Sequence, residues 1–137
     1  MENAIIVDID WTLAKHVARW PYEMDKLETY EVIEPIRVII GNLLHEYRVV
    51  LMSGRSEEYR AKTERWLEKN KVGYHNLLMR TTWDSRPDTE IKKELYNKYL
   101  KNKYNVVFAI DDRNRIVDQW RNMGIFTLDV NQTREDF

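Results

Sequence analysis

The 137-residue chain contains no cysteine. That absence excludes a disulfide framework, a thiolate nucleophile and a cysteine-held zinc site, and points to a cytoplasmic setting. No apolar run approaches membrane-spanning length and no stretch has the pattern of a signal peptide, so no membrane partner is expected. A charge excess is missing too: 22 lysines and arginines face 23 acids, leaving a net charge of −1. Such a balance advertises no large nucleic-acid footprint, although a basic cluster at one end of the molecule would be hidden in the total. There are no repeats, low-complexity tracts or Gly/Ser linkers, and no G-x-x-x-x-G-K-[ST] phosphate loop. The length suits a single domain, residues 1–137, able to bury about 70% of the surface its unfolded chain exposes.

What is present is acid at the ends of apolar runs. Ala4-Ile5-Ile6-Val7 breaks off at Asp8-Ile9-Asp10-Trp11-Thr12, and Val106-Val107-Phe108-Ala109-Ile110 runs into Asp111-Asp112. A carboxylate taken out of water costs several kcal/mol unless it is paired, hydrogen-bonded or metal-bound. Two buried strands ending in acid pairs therefore suggest a cation, a reaction, or both. A third run, Arg48-Val49-Val50-Leu51-Met52, ends in Ser53-Gly54-Arg55. In open α/β sheets ligands bind beyond the carboxyl ends of the strands, which places all three endings at one site.

Apolar runs alternate with amphipathic segments, the pattern of βαβ units around a mostly parallel five-stranded sheet. Strands are expected at residues 4–9, 48–52, 75–79, 106–110 and 125–129. One helix follows Pro35 and carries Ile36, Ile39, Ile40, Leu43, Leu44 and Tyr47; a second carries Tyr59, Thr63, Trp66 and Leu67. A third carries Ile91, Leu95 and Tyr99 with Asp88 as its N-cap, and a fourth carries Ile116, Val117 and Trp120 and stops at Gly124. Residues 12–34 fit no long element and are expected to form a short flap or hairpin over the site. The spacing of the strand ends leaves little room for a large cap domain.

A carboxylate can accept a phosphoryl group as an aspartyl-phosphate, and Asp8 is the candidate nucleophile. Asp10 could protonate the leaving alkoxide and then deprotonate the attacking water. Because phosphate and the acids are both anionic, the site needs a cation, and Mg²⁺ suits hard oxygen ligands from Asp8, the Asp10 carbonyl, Asp111 and Asp112. Either acid pair alone could instead cap a turn. Ser53 and neighbouring N–H groups could hold phosphoryl oxygens at a helix N-terminus while Arg55 reaches the substrate, or the segment could simply start a helix. Lys92 or Lys93 could point inward to neutralise the acids.

Asp8-Ile9-Asp10-Trp11-Thr12, Ser53, a lysine and Asp111-Asp112 together resemble the four ordered motifs of the haloacid dehalogenase (HAD) superfamily of phosphohydrolases. A closer resemblance, through Asp10 to Lys15, Arg19-Trp20-Pro21-Tyr22, Met52 to Arg55 and Ala109 to Arg121, is to the phosphatase domain of phage polynucleotide kinase/3′-phosphatases. The resemblance implies a Rossmann-like three-layer sandwich with the first and fourth main strands side by side. It also implies catalytic roles for Asp8, Asp10, Ser53 and Lys92, and substrate-side positions for Thr12, Arg19, Gly54, Arg55 and Arg80. Trp11 stands where the family usually has glycine, which implies a reshaped turn.

Three functional readings follow. The first is a Mg²⁺-dependent phosphatase that removes a 3′-phosphate from DNA or RNA ends, which an uncapped crevice would admit. The second is the same chemistry on a small phosphomonoester such as a nucleotide or sugar phosphate. The third is a non-catalytic nucleic-acid-binding module, disfavoured because every catalytic position is filled. Trp66 and Trp120 lie on apolar helix faces, whereas Trp11, Trp20, Tyr22 and Trp83 fall in loops where they could stack on bases.

Overall fold

The computed structural model describes residues 1–16, 24–133 and 136. Five parallel strands form its sheet: β1 (Glu2–Val7), β4 (Arg48–Ser56), β5 (Asn76–Arg80), β6 (Tyr104–Asp111) and β7 (Phe126–Asp129). Their order is β5-β4-β1-β6-β7, so the chain winds outward on one side of β1 and then crosses to the other. The first and fourth main strands are therefore neighbours, as expected, and the strand order reverses at β1, where α/β sheets open their crevice. Ala4, Ile5, Ile6 and Val7 are all buried because a central parallel strand is covered on both faces.

Alternation along the strands divides the core into two layers. Ile5, Val7, Val49 and Leu51 face α1 (Glu34–Leu43) and α2 (Arg60–Lys69), meeting Ile36, Ile40, Trp66 and Leu67. Ile6, Val50, Met52 and Ala109 face α3 (Asp88–Tyr99) and α4 (Asn114–Asn122), meeting Leu95, Tyr96, Ile116 and Trp120. Trp66 is sealed in the first layer with its indole N–H donating to the Tyr30 carbonyl at 2.8 Å. Gly124, at φ +84°, ends α4 as expected of a left-handed C-terminal stop.

The elements depart from expectation at two places that matter for the site. Strand β4 does not end at residue 52 but continues to Ser56, with a register shift against β5 between Ser53 and Ser56. Ser53 thus lies within an extended strand, and α2 begins only at Arg60, after the 3-10 turn Glu57–Tyr59. The expected helix N-terminus at Ser53 is absent. Asp88 is the first residue of α3 rather than its N-cap, which is Pro87, and its carboxylate turns elsewhere.

The flap expected over residues 12–34 has a described stem. Two-residue strands β2 (Ala14–Lys15) and β3 (Glu31–Val32) pair antiparallel, and the 3-10 segment Met24–Thr29 leads back to them. Leu13, Ala14, Leu27 and Tyr30 anchor this stem in the first core layer. Arg19, Trp20, Pro21 and Tyr22 lie outside the described residues. Among the described residues no helix is long and apolar enough to cross a membrane.

Truncating Trp66 removes a large buried ring and its hydrogen bond. Trp66→Ala is expected to lower the unfolding free energy by about 3–5 kcal/mol in denaturant titration. A loss below about 1 kcal/mol would contradict the placement of this side chain in the core.

Candidate active site

Immediately after β1 the chain turns sharply, because the Ile9 carbonyl accepts the N–H groups of Thr12, Leu13 and Ala14 at 3.1, 2.8 and 2.9 Å. The turn forces Trp11 to φ +64°, a conformation that a glycine would adopt freely. It also points successive side chains in different directions. Asp8 faces the sheet crevice, Thr12 folds back beside it, and Asp10 turns toward β4.

Asp8 is buried and both of its oxygens are engaged. Its Oδ1 accepts from Lys92 Nζ at 2.9 Å, and its Oδ2 lies 3.0 Å from the Thr12 hydroxyl. The same ammonium reaches Asp111 Oδ2 at 2.8 Å, while the Thr12 hydroxyl lies 3.2 Å from Asp112 Oδ1. One hydroxyl hydrogen can serve only one of these two carboxylates at a time. Asp111 is fixed from behind by the N–H groups of Asp112 and Arg113, at 2.8 and 3.1 Å from its Oδ1. Of the two lysines considered from sequence, Lys92 is the buried one, and Lys93 is exposed.

The charges in this cluster do not balance. Carboxylate oxygens of Asp8, Asp111 and Asp112 lie within 4.8 Å of one another, and the Lys92 ammonium pairs with Asp8 and Asp111. Burial works against the Lys92 charge, but Asp111 and Asp8 overcome it and hold the amine protonated beyond the ordinary lysine range. Burial, and then the charge of Asp8, push the Asp111 and Asp112 carboxyls upward. Fully ionised, three acids against one ammonium would carry two negative charges in excess, so a divalent cation on hard oxygen ligands fits this donor set in place of the protons that Asp111 and Asp112 otherwise retain. Asp8, Asp111 and Asp112 would hold it, with Mg²⁺ the ion that the sequence suggests.

Asp10 occupies a different environment. Arg55 Nη2 donates to its Oδ1 at 2.7 Å and Arg55 Nε bridges both oxygens at 3.2 and 3.1 Å. His16 Nε2 is 2.6 Å from the same Oδ1. Burial opposes the Asp10 charge, but the Arg55 guanidinium and the hydrogen bonds from His16 and Arg55 outweigh it and hold the carboxyl well below the usual range. Its carboxylate is not part of the three-acid cluster.

The remaining expected site residues divide by what they touch. Ser53 is buried, and its Oγ accepts the Arg55 N–H at 3.0 Å. Arg55 is buried with its guanidinium committed to Asp10 and to Thr63 Oγ1, 3.0 Å away on α2, so in this structure it serves the acid rather than reaching outward. Arg80 is likewise tied down, donating to the Gly54 carbonyl at 2.8 Å, to the Asp84 and Arg86 carbonyls and to Asp88. At Gly54 a Cβ would sit 2.7 Å from Asp88 Oδ1, which is why no side chain fits there. Arg19 lies outside the described residues.

Four contributors escaped the sequence reading: His16, Thr63, Asp88 and Arg113. Asp88 links Arg80 to Arg113, whose Nη1 donates to Asp88 Oδ2 at 2.7 Å. Arg113 could have been suspected, since it directly follows Asp111-Asp112. Asp88 had the appearance of an ordinary cap, and His16 and Thr63 meet their partners only through the turn after β1 and the inward face of α2.

Comparison with known proteins extends this geometry. Residues 2–137 match the family described as the polynucleotide kinase PNKP phosphatase domain. A protein of Autographa californica nuclear polyhedrosis virus, named as a bifunctional polynucleotide kinase/RNA ligase, is 31% identical over 132 residues, covering 92% of this chain and 19% of that protein. A chain in a solved structure of the Pnkp1/Rnl/Hen1 complex superposes with a TM-score of 0.91 at 38% identity, covering 95% of this chain and 46% of that one. A chain in a structure of the Pnkp1/Rnl/Hen1 RNA repair complex gives 0.90 at 38% identity, covering 94% of this chain and 42% of its own. The chain thus spans under half the length of each of these relatives.

The charge imbalance predicts how stability responds to metal and pH. Asp111 and Asp112 bind protons more tightly folded than unfolded, so in chelator they make the thermal midpoint fall as pH rises. Added Mg²⁺ should raise the midpoint, by more at about pH 8 than at about pH 5, because protons compete for the same oxygens. Asp112→Asn should be no less stable than wild type in chelator yet lose most of the Mg²⁺ gain. An undiminished gain in Asp112→Asn would remove this residue from the metal site.

Proposed function

Because the chain belongs to the family of polynucleotide kinase phosphatase domains, we propose that it removes the 3′-phosphate from polynucleotide ends through an aspartyl-phosphate on Asp8. The observation that carries this reading is the division of labour between two acids two residues apart. Asp8 is presented to the crevice by Lys92 and Thr12, while Asp10 is withheld from the metal cluster and oriented by Arg55 and His16. Two carboxylates in contrasting environments can take contrasting roles in one reaction.

In the first half-reaction Asp10, ionised beside Arg55 in the free protein, carries a proton taken up with the anionic substrate; an Asp8 oxygen attacks phosphorus, the P–O3′ bond breaks, and Asp10 gives that proton to the departing O3′. In the second, Asp10 takes a proton from water as the water oxygen attacks phosphorus. The Asp8 O–P bond breaks, inorganic phosphate leaves, and both side chains return to their starting forms. The carboxylate form that Arg55 stabilises on Asp10 is the one this second step needs. Lys92 stays charged throughout and compensates Asp8 as it alternates between anion and acyl phosphate. Mg²⁺, held by Asp8, Asp111 and Asp112, would neutralise the phosphoryl oxygens so that an anionic nucleophile can approach.

Ser53 Oγ and the backbone beside it would receive the phosphoryl oxygens, here at the bulge in β4 rather than at a helix end. Among the described residues no large insertion covers the strand ends, which suits a polymer substrate. The polynucleotide and repair roles of the relatives support this choice over a small phosphomonoester.

Asp8→Asn should lower turnover of a 3′-phosphorylated oligonucleotide by at least about a thousandfold with the fold intact. Asp10→Asn should fall comparably. A folded Asp8→Asn variant that retains a tenth of wild-type turnover would contradict the covalent route. An oligonucleotide substrate preferred over the matching 3′-mononucleotide supports the polymer end, and equal kcat/KM for the two would contradict it.

A further inference from the structure

Trp83 is 95% exposed, more than any other large apolar side chain among the described residues, and it makes no ring contact among them. It also sits at φ +71°. The turn is closed by the Asp84 N–H donating to the Thr81 carbonyl at 3.1 Å, which makes Trp83 its third residue, the position where a positive φ ordinarily selects glycine. A bulky aromatic here bears backbone strain and a hydrated ring, and no ring contact among the described residues compensates for either. Trp11 shares the positive φ, but it is only 39% exposed and its ring lies 5.2 Å from that of His16.

The turn is held rigidly. Arg80 donates to the Asp84 and Arg86 carbonyls, and the Arg86 guanidinium is clamped by Asp84 and Glu94, each at 2.7 Å. Beginning with Asp84, the residue after Trp83, the same segment lines an open cavity of about 430 Å³. Arg80, Arg86, Arg113 and Arg115 contribute four guanidinium groups to it, and the carboxylates of Asp84, Asp88 and Glu94 that pair with three of them leave one positive charge in excess. The cavity adjoins the catalytic centre through two of these side chains. Arg80 Nε reaches the Gly54 carbonyl at 2.8 Å, next to Ser53, and Arg113 directly follows Asp112.

We propose that Trp83 is a stacking platform for a nucleobase of the strand whose 3′-phosphate enters the site, with the arginine-rich cavity beside it taking that strand's phosphodiester. The proposal rests on the polynucleotide reading above. A planar π face in water, fixed on a rigid turn beside excess positive charge, matches the two faces of a nucleotide: a base that stacks and a phosphate that pairs with guanidinium. A protein partner would need apolar surface around the ring, and the neighbours here are Thr82, Asp84, Ser85 and Arg86.

The test uses wild type, Trp83→Gly and Trp83→Phe on three substrates: a 3′-phosphorylated single-stranded oligonucleotide, the same strand with its last two nucleosides abasic, and an aryl phosphate. Trp83→Gly should raise KM for the intact strand by about tenfold, with no further loss on the abasic strand. Trp83→Phe should stay near wild type, and all three proteins should hydrolyse the aryl phosphate equally. The thermal midpoint of Trp83→Gly should not fall, since glycine suits the turn. An unchanged KM in Trp83→Gly, or losses from the variant and the abasic strand that multiply independently, would overturn the proposal while leaving the polynucleotide reading standing. A wild-type enzyme that treats the oligonucleotide no better than the aryl phosphate would overturn both.

Discussion

Three carboxylates within 4.8 Å of one another, buried around one ammonium group, set the terms for the rest of this structure. Such a cluster survives only if every member is held. Lys92 comes from the first turns of α3 and bridges Asp8 at the end of β1 to Asp111 at the end of β6. Losing one partner of a buried ion pair typically costs about 3–5 kcal/mol. The position of α3 across the end of the sheet is thus coupled to the same contacts that form the site, and stability and chemistry share one set of side chains.

The second constraint is the separation of Asp10 from that cluster. The sharp turn at Ile9 sends Asp10 to Arg55 and His16, and Thr63 on α2 holds Arg55 in place. Asp111 and Asp112 are pushed up by burial and by Asp8, whereas Asp10 is drawn down chiefly by Arg55 against its burial. Oppositely directed environments around neighbouring carboxylates are what a nucleophile, an acid/base and a metal site require of the same residue type.

Much of this was legible in the sequence because apolar strands buried on both faces cannot tolerate acids without purpose. The runs before Asp8 and Asp111, the helix faces of Trp66 and Trp120 and the stop at Gly124 follow from local pattern, while the pairing of the first and fourth main strands comes from the family resemblance. What was hidden depends on long-range placement. Extension of β4 through Ser53 to Ser56 comes from pairing with Arg80 on β5 across a bulge, which no local signal announces. Arg55 and Arg80 carry the expected charge in the expected region, yet the fold spends their donors on Asp10, Thr63, Asp88 and carbonyl groups. His16 is invisible as a partner of Asp10 until the turn brings the two together.

The central claim is that Asp8 carries the phosphoryl group. The most direct measurement is acid quenching during steady-state turnover of an oligonucleotide bearing a labelled 3′-phosphate, followed by peptide mapping of the protein. The account predicts label on the peptide containing Asp8, released by hydroxylamine as an acyl phosphate is. Turnover that proceeds with label reaching inorganic phosphate and never the protein would contradict it.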